Sequence, residues 1–334
     1  MLRSAPMSGD EASGDRRDIW IWVTVAANSV VAFLLGAVKI GRSFNYDEAV
    51  TYTSFVNGGS VWRALTTQVV FNNHQMFSVT QAVAWRVGLV GETAQRLLPV
   101  LCGVATVALL TWWVGRATAP LAGAIAGLLL VLNPVYLSEF RLLRGYALAT
   151  LATLVAAVAT ERSWSDHRRR WLIVSGVAMT VAVTTHAFSA LALAVVAVVT
   201  LALGHLRRGH LITWAIAAGT TIVIQLPLLD DARRESEARG SRYLSFFGRH
   251  VVEIYLGDRR GAIVLMAILL AAGGWSIARR SARHGVAVAA GTGLVVIVVV
   301  LLWQVIRPFD LYSRFFVALT PFVAGLAAVG AYRI

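Results

Sequence analysis

Apolar runs of about 18 to 22 residues recur along the whole chain, separated by polar turns, and each is long enough to cross a hydrocarbon core of about 30 Å as a helix. Backbone groups cannot stay unpaired in lipid, so these runs are predicted to be helices. The strict apolar–polar alternation of barrel strands is absent. The predicted spans cover residues 19–39, 96–114, 121–137, 146–160, 171–185, 188–206, 211–229, 262–277, 286–305 and 315–332. A long polar to semi-polar stretch, 41–95, separates the first two and contains amphipathic segments near 52–68 and 76–89. The fold class that follows is all-α, a polytopic transmembrane bundle of about ten helices whose first loop carries juxtamembrane amphipathic helices.

The polar turns give the bundle a direction. With a short disordered tail, residues 1–18, in the cytoplasm, successive spans put Arg116 and the turns 161–170, 205–210 and 279–284 on that same side. The three turns are short and arginine-rich, as cytoplasmic turns are. The longer connections, 41–95, 230–260 and 307–314, then lie outside, and no boundary divides residues 19–334 into more than one domain. The expected location is the cell membrane, with the N-terminus cytoplasmic and the chemistry extracytoplasmic.

Composition adds three exclusions. Hydrophobic residues make up 57% of the 334 and charged ones 14%, too little charge to keep a body of this size dissolved. The net charge of +13 would suit nucleic acid, but the basic residues gather in the turns, where they face anionic lipid, so no nucleic-acid partner is expected. Lys39 is the only lysine, and the single cysteine, Cys102, rules out an internal disulfide.

Unusual residues collect at the predicted outer ends of the spans. Asp47 and Glu48 open the first loop, and His74 follows in the same loop after Asn72 and Asn73. Arg141, Arg144 and Tyr146 flank another outer end, His186 lies between two spans, and Arg314 begins the last. Singly, each has a plain reading: a solvated flank, a loop histidine, a snorkelling arginine, a turn, or an anchor paired with Asp310. Together on one face they suit a site handling a hydroxyl and a lipid-linked phosphate. A carboxylate can take the proton of an attacking alcohol, and arginines offer paired donors to phosphate oxygens. The connection 230–260 adds Arg233, Arg234, Arg239, Arg242, Arg249, Arg259 and Arg260, either as a platform for anionic lipid or as a charge-laced helix balanced by its own acids.

Several of these stretches resemble one family. Asp47-Glu48-Ala49 looks like the Asp-Glu signature of membrane glycosyltransferases with the C-type fold, in particular family 39 and the protein-mannosyltransferase-like group, which includes lipid A aminoarabinose transferases. The resemblance continues through His74, Trp85–Gly91 and Gln95–Gly103, then Leu132-Asn133-Pro134 and Arg144-Gly145-Tyr146-Ala147-Leu148. Thr185-His186-Ala187-Phe188, Tyr312-Ser313-Arg314-Phe315-Phe316 and Pro321 complete it. It implies an inverting transferase using a polyprenyl-phosphate sugar donor and an extracytoplasmic lipid, glycan or protein acceptor. Asp47 would be the general base, Glu48 and His74 would orient the loop and acceptor, and Arg144, His186 and Arg314 would contact the donor phosphate, supported by Tyr146 and Arg141. His74-Gln75-Met76 departs from the His-x-Pro usual in the family, and the chain stops soon after Phe316, which leaves a partner subunit open. So is a divalent cation: Asp47, His74 and His186 are suitable types, at no dedicated metal spacing. The rivals are a transporter or lipid flippase, against which the spans are nearly free of charge at their centres, and a non-catalytic accessory subunit of a cell-envelope glycan pathway.

Overall fold

The structure, a computed structural model, describes residues 9–38, 40–69, 72–231, 234, 260–280 and 313–334. The expected span 286–305, Asp310, and most of the connection 230–260, with Arg233, Arg239, Arg242, Arg249 and Arg259, lie outside the described residues. Those described are helical or in turns, so the all-α expectation is what is observed. In chain order the helices are α1 (Gly9–Ala37), α2 (Tyr46–Thr51, continued by a π turn Tyr52–Val56), α3 (Val61–Thr66), α4 (Gln75–Arg86) and α5 (Glu92–Ala117). Then follow α6 (Pro120–Val131), α7 (Pro134–Glu139), α8 (Tyr146–Ser165), α9 (Arg169–Thr185), α10 (Ser189–Ala202) and α11 (Arg208–Gln225). The last two are α12 (Arg260–Arg280) and α13 (Thr320–Arg333), the latter entered through a 3-10 turn, Ser313–Leu319. Asp15–Ala37, Glu92–Ala117, Arg208–Asp231 and Phe316–Arg333 are long and apolar enough to cross a membrane.

Lipid faces and protein faces divide these helices. Trp20, Trp22, Phe33 and Leu34 of α1 point outward, as do Ile216, Ile222 and Val223 of α11. The buried core joins Ala32, Val107, Leu110, Ala126, Leu130, Leu154 and Ala324 from α1, α5, α6, α8 and α13. One polar clamp fixes the register of three of them: Asn28 Nδ2 of α1 donates to Thr111 Oγ1 of α5 at 3.0 Å and to Ala124 O of α6 at 3.1 Å. In lipid an amide without partners is costly, so this contact selects one arrangement among several equally greasy ones.

The expected span 121–137 is corrected. The helix stops at Val131, and Asn133 caps a new short helix by accepting Tyr136 N at 2.9 Å. Pro134 explains the break, because its ring disfavours helical backbone at the residue before it; Asn133 takes φ −65°, ψ 120°. The short α7 then packs against α6 and the 3-10 turn Ser313–Leu319. Phe140, fully buried, closes its exit so tightly on α5 that a Cβ on Gly103 would lie 2.5 Å from the ring.

The ends of the bundle differ. At one end Arg17 Nη2 donates to Arg116 O at 3.0 Å, and Trp113 Nε1 to Glu161 Oε2 at 2.8 Å. Arg96 lies near the other end of the same α5, about 30 Å away at 1.5 Å rise per residue.

Candidate functional site

The loop after α1 is built around Glu48. Asn45 and Glu48 form a capping box, with Glu48 N donating to Asn45 Oδ1 at 2.9 Å and Asn45 N to Glu48 Oε2 at 3.0 Å. That serves two orphan donors at the start of α2. The carboxylate is 1% exposed and also takes a forked pair from Arg96, Nε to Oε1 at 2.7 Å and Nη2 to Oε2 at 2.8 Å. Leu143 N adds a bond to Oε1 at 2.8 Å. Burial alone would raise the Glu48 pKa; the bonds from Arg96, Leu143 and Asn45 outweigh it and hold the carboxyl below its ordinary range. Arg96 spends its remaining donors on Ile40 O at 2.9 Å, Arg42 O and Ser43 O. This pair therefore ties α2, α5 and the turn before α8 together.

One residue earlier, Asp47 faces the other way. Its Oδ2 lies 3.0 Å from Nη1 of both Arg144 and Arg314. Arg314 donates a hydrogen bond there, whereas Arg144 Nη1 is close but out of line for one. The exposures form a gradient: the Asp47 side chain is 32% exposed, Arg314 30% and Arg144 5%. Arg144 Nε is buried without a hydrogen-bond partner among the described residues. The backbone of Asp47 is fixed from behind by Asn72 Nδ2, which donates to Asp47 O at 2.8 Å.

Behind Arg144 three rings meet. Its guanidinium stands over the Tyr146 ring at 5.5 Å, and Tyr146 contacts His74 at 4.9 Å and His186 at 5.0 Å between centroids. His74 and His186 stack at 5.7 Å. Gly145 makes this possible, since a Cβ there would come within 2.6 Å of His74 and 2.7 Å of Thr185. His74 Nδ1 lies 2.9 Å from Thr185 O. A carbonyl only accepts, so Nδ1 carries the proton and the buried Nε2, without a partner among the described residues, is left as an acceptor. Burial first, then Arg144, keeps His74 well below the ordinary imidazole range. Burial, then Arg144 and Arg314, pushes His186 down to about 3. Both rings are neutral at pH 7 and offer hydrogen bonds rather than charge.

The structure thus gathers Asp47, His74, Arg144, Tyr146, His186 and Arg314 at one end of the bundle, and places Glu48 beside them. Arg141 turns away: its Nε and Nη2 both donate to Leu35 O of α1, at 2.9 and 2.6 Å. Among the described residues no three His, Cys, Asp or Glu side chains gather to hold a metal, so Asp47, His74 and His186 do not form such a set.

Two further residues belong to this end. Arg96 lies one turn into α5, at the first position of the expected span 96–114, where a charged side chain calls for a partner. Glu139, the last residue of α7, has Oε2 buried without a partner among the described residues. No sequence signal marked it, because it reads as a turn residue until Pro134 redirects the chain.

The arrangement suits group transfer from a phosphate: one part-exposed carboxylate, two guanidiniums on it, and a neutral polar lining. Residues 75–229 match the family model described as dolichyl-phosphate-mannose-protein mannosyltransferase. Arg144 and His186 lie inside that stretch, Asp47 and Arg314 outside it. The fold is similar to that of ArnT from Cupriavidus metallidurans in the apo state, with TM-score 0.65 and 17% identity over 97% of this chain and 60% of that one. The same protein bound to undecaprenyl phosphate gives TM-score 0.63 and 19% identity over 94% and 60%. The chain spans 60% of the length of these solved structures. No curated protein gives a significant match. The C-type glycosyltransferase fold and the protein-mannosyltransferase-like resemblance read from the motifs are both borne out.

Proposed function

We propose that this chain is an inverting membrane glycosyltransferase that moves a sugar from a polyprenyl-phosphate donor to an acceptor hydroxyl at the extracytoplasmic face. The observation that carries this reading is Asp47 Oδ2 held at 3.0 Å by both Arg144 and Arg314. A half-open carboxylate with two phosphate-binding side chains on it puts base and leaving-group site within one contact.

Asp47 takes the acceptor proton as its oxygen attacks the anomeric carbon, and the bond from that carbon to the phosphate oxygen breaks on the opposite side. Arg144 and Arg314 move their donors from Asp47 toward the phosphate when the donor binds. Binding thereby loosens the ion pairs on the base. His186 and Tyr146 line the phosphate side as neutral partners, His74 orients the loop, and Glu48 holds α2 so that Asp47 points into the site. The lipid tail lies between helices, and the arginine-rich turns at the far end support a cytoplasmic N-terminus. ArnT bound to undecaprenyl phosphate supports a polyprenyl phosphate ligand on this fold.

The test is sugar transfer in proteoliposomes with a panel of polyprenyl-phosphate hexoses and pentoses, with Asp47→Ala as control. Donor consumption that disappears in the variant supports the reading and names the sugar. A folded Asp47→Ala protein with normal turnover rules out the proposed base.

A further inference from the structure

The carboxyl of Glu139 is a polar group that the mechanism above does not use. It ends α7, the short helix that starts at Pro134 and packs against the 3-10 turn carrying Arg314, and it is half-buried with Oε2 closed off and unpartnered among the described residues. A buried carboxylate oxygen without a donor is costly, whereas a carboxyl that keeps its proton has one to give. The charged and titratable groups that act on it are Arg314 of the 3-10 turn, Arg144 and Tyr146 at the start of α8, and Asp47 and Glu48 of α2. α6, which precedes it, carries no titratable side chain.

We propose that Glu139 is a second carboxyl of the transfer site, working in its protonated form and donating a hydrogen bond to the phosphate that Arg144 and Arg314 bind. This rests on the transferase reading. Charge balance favours it. Glu48 and Arg96 neutralise each other. Asp47 and a phosphodiester donor neutralise the two remaining arginines before reaction. Afterwards Asp47 is protonated, the released phosphate is doubly charged, and the same two arginines are again neutralised. Glu139 keeps its proton throughout, so no further bond is made or broken; an ionised Glu139 would leave one uncompensated negative charge beside the phosphate. Burial pushes its pKa up to about 7, Arg314 and Arg144 pull it down, and Asp47 and Glu48 push it further up. An added phosphate acts in the same direction as those two acids, so the bound state retains the proton more firmly than the free one.

The experiment measures undecaprenyl phosphate binding between pH 6 and pH 9 for the full-length protein, Glu139→Gln and Glu139→Ala in detergent, with thermal melts reporting folding. Glutamine keeps the shape and a donor but cannot ionise. The lipid phosphate itself titrates equally in all samples, so the comparison between proteins is what counts. The expected result is that wild type loses affinity over this range by about tenfold more than Glu139→Gln, the factor for one unit of coupled pKa. At pH 6 Glu139→Gln then binds like wild type, and folded Glu139→Ala binds more weakly. Identical pH dependence in wild type and Glu139→Gln, or weakened binding by Glu139→Gln at pH 6, overturns the proposal. Should Glu139→Ala fail to fold, the glutamine comparison decides alone. Binding that behaves as expected without donor consumption would sink the transferase reading and leave Glu139 as a phosphate partner; turnover with no Glu139 effect would do the reverse.

Discussion

Asp47 and Glu48 are adjacent acids on one short helix, and the structure treats them oppositely. Glu48 is sealed, caps its own helix and is gripped in a fork by an arginine that has no donor to spare for a substrate. Asp47 is one-third exposed and shares one oxygen between two arginines, one of which keeps a buried donor unspent. A carboxylate with all its lone pairs committed is a fastener. One shared between two arginines, on the proposed reading, can exchange partners when a phosphate arrives. The contrast comes from helical geometry: neighbouring residues point about 100° apart, so one faces α5 and the other the open end of the bundle.

Variants can break that contrast. The largest effect is expected from Asp47→Asn, which should cut turnover by about 10²–10⁴-fold, the range for loss of a positioned base, while the melting temperature stays near that of wild type. Next, Arg96→Met should leave Glu48 buried and unpaired, costing about 3–5 kcal/mol, read as a large drop in thermal stability whether or not donor is bound. The pH dependence has a definite sign. Because the folded Glu48 pKa lies below the value of 4.5 for the free group, its contribution is fully present above that value and is lost as pH falls through the lower, folded one. An acid melt of wild type should show that loss, and Glu48→Gln should not. The smallest effect is expected from Gly145→Ala, where the added methyl meets His74 and Thr185. Overpacking of this kind costs about 1–3 kcal/mol and should weaken undecaprenyl phosphate binding more than it changes the turnover of bound donor.

The helices were legible because lipid leaves a chain little choice of structure, and nearly every expected span has a helix on it. The break in 121–137 was not, since hydropathy continues past Leu132 and only Pro134 registers the interruption. Asp47, Arg144, His186 and Arg314 stood out in the sequence as polar residues at span ends, and they do converge. Arg141 shows the weakness of that criterion: it has the same type and setting as Arg144, yet the three-residue offset turns it toward the end of α1. Arg96 and Glu139 were missed as site residues for related reasons. One looked like part of a span and the other like part of a turn, and only the packing of α2, α5 and α7 shows what each reaches.

Asp47 is laid down among the first fifty residues of the chain, and Arg314 joins it from 267 positions later. During synthesis the early helices enter the membrane first, so most of the bundle is in place while this contact is still lacking. A protein interrupted before the 3-10 turn would lack this contact, leaving Asp47 to Arg144 alone, and would also lack α13, whose Ala324 and Ala328 belong to the buried core. On the transferase reading, such a copy would lack one of the two arginines proposed to hold the donor phosphate.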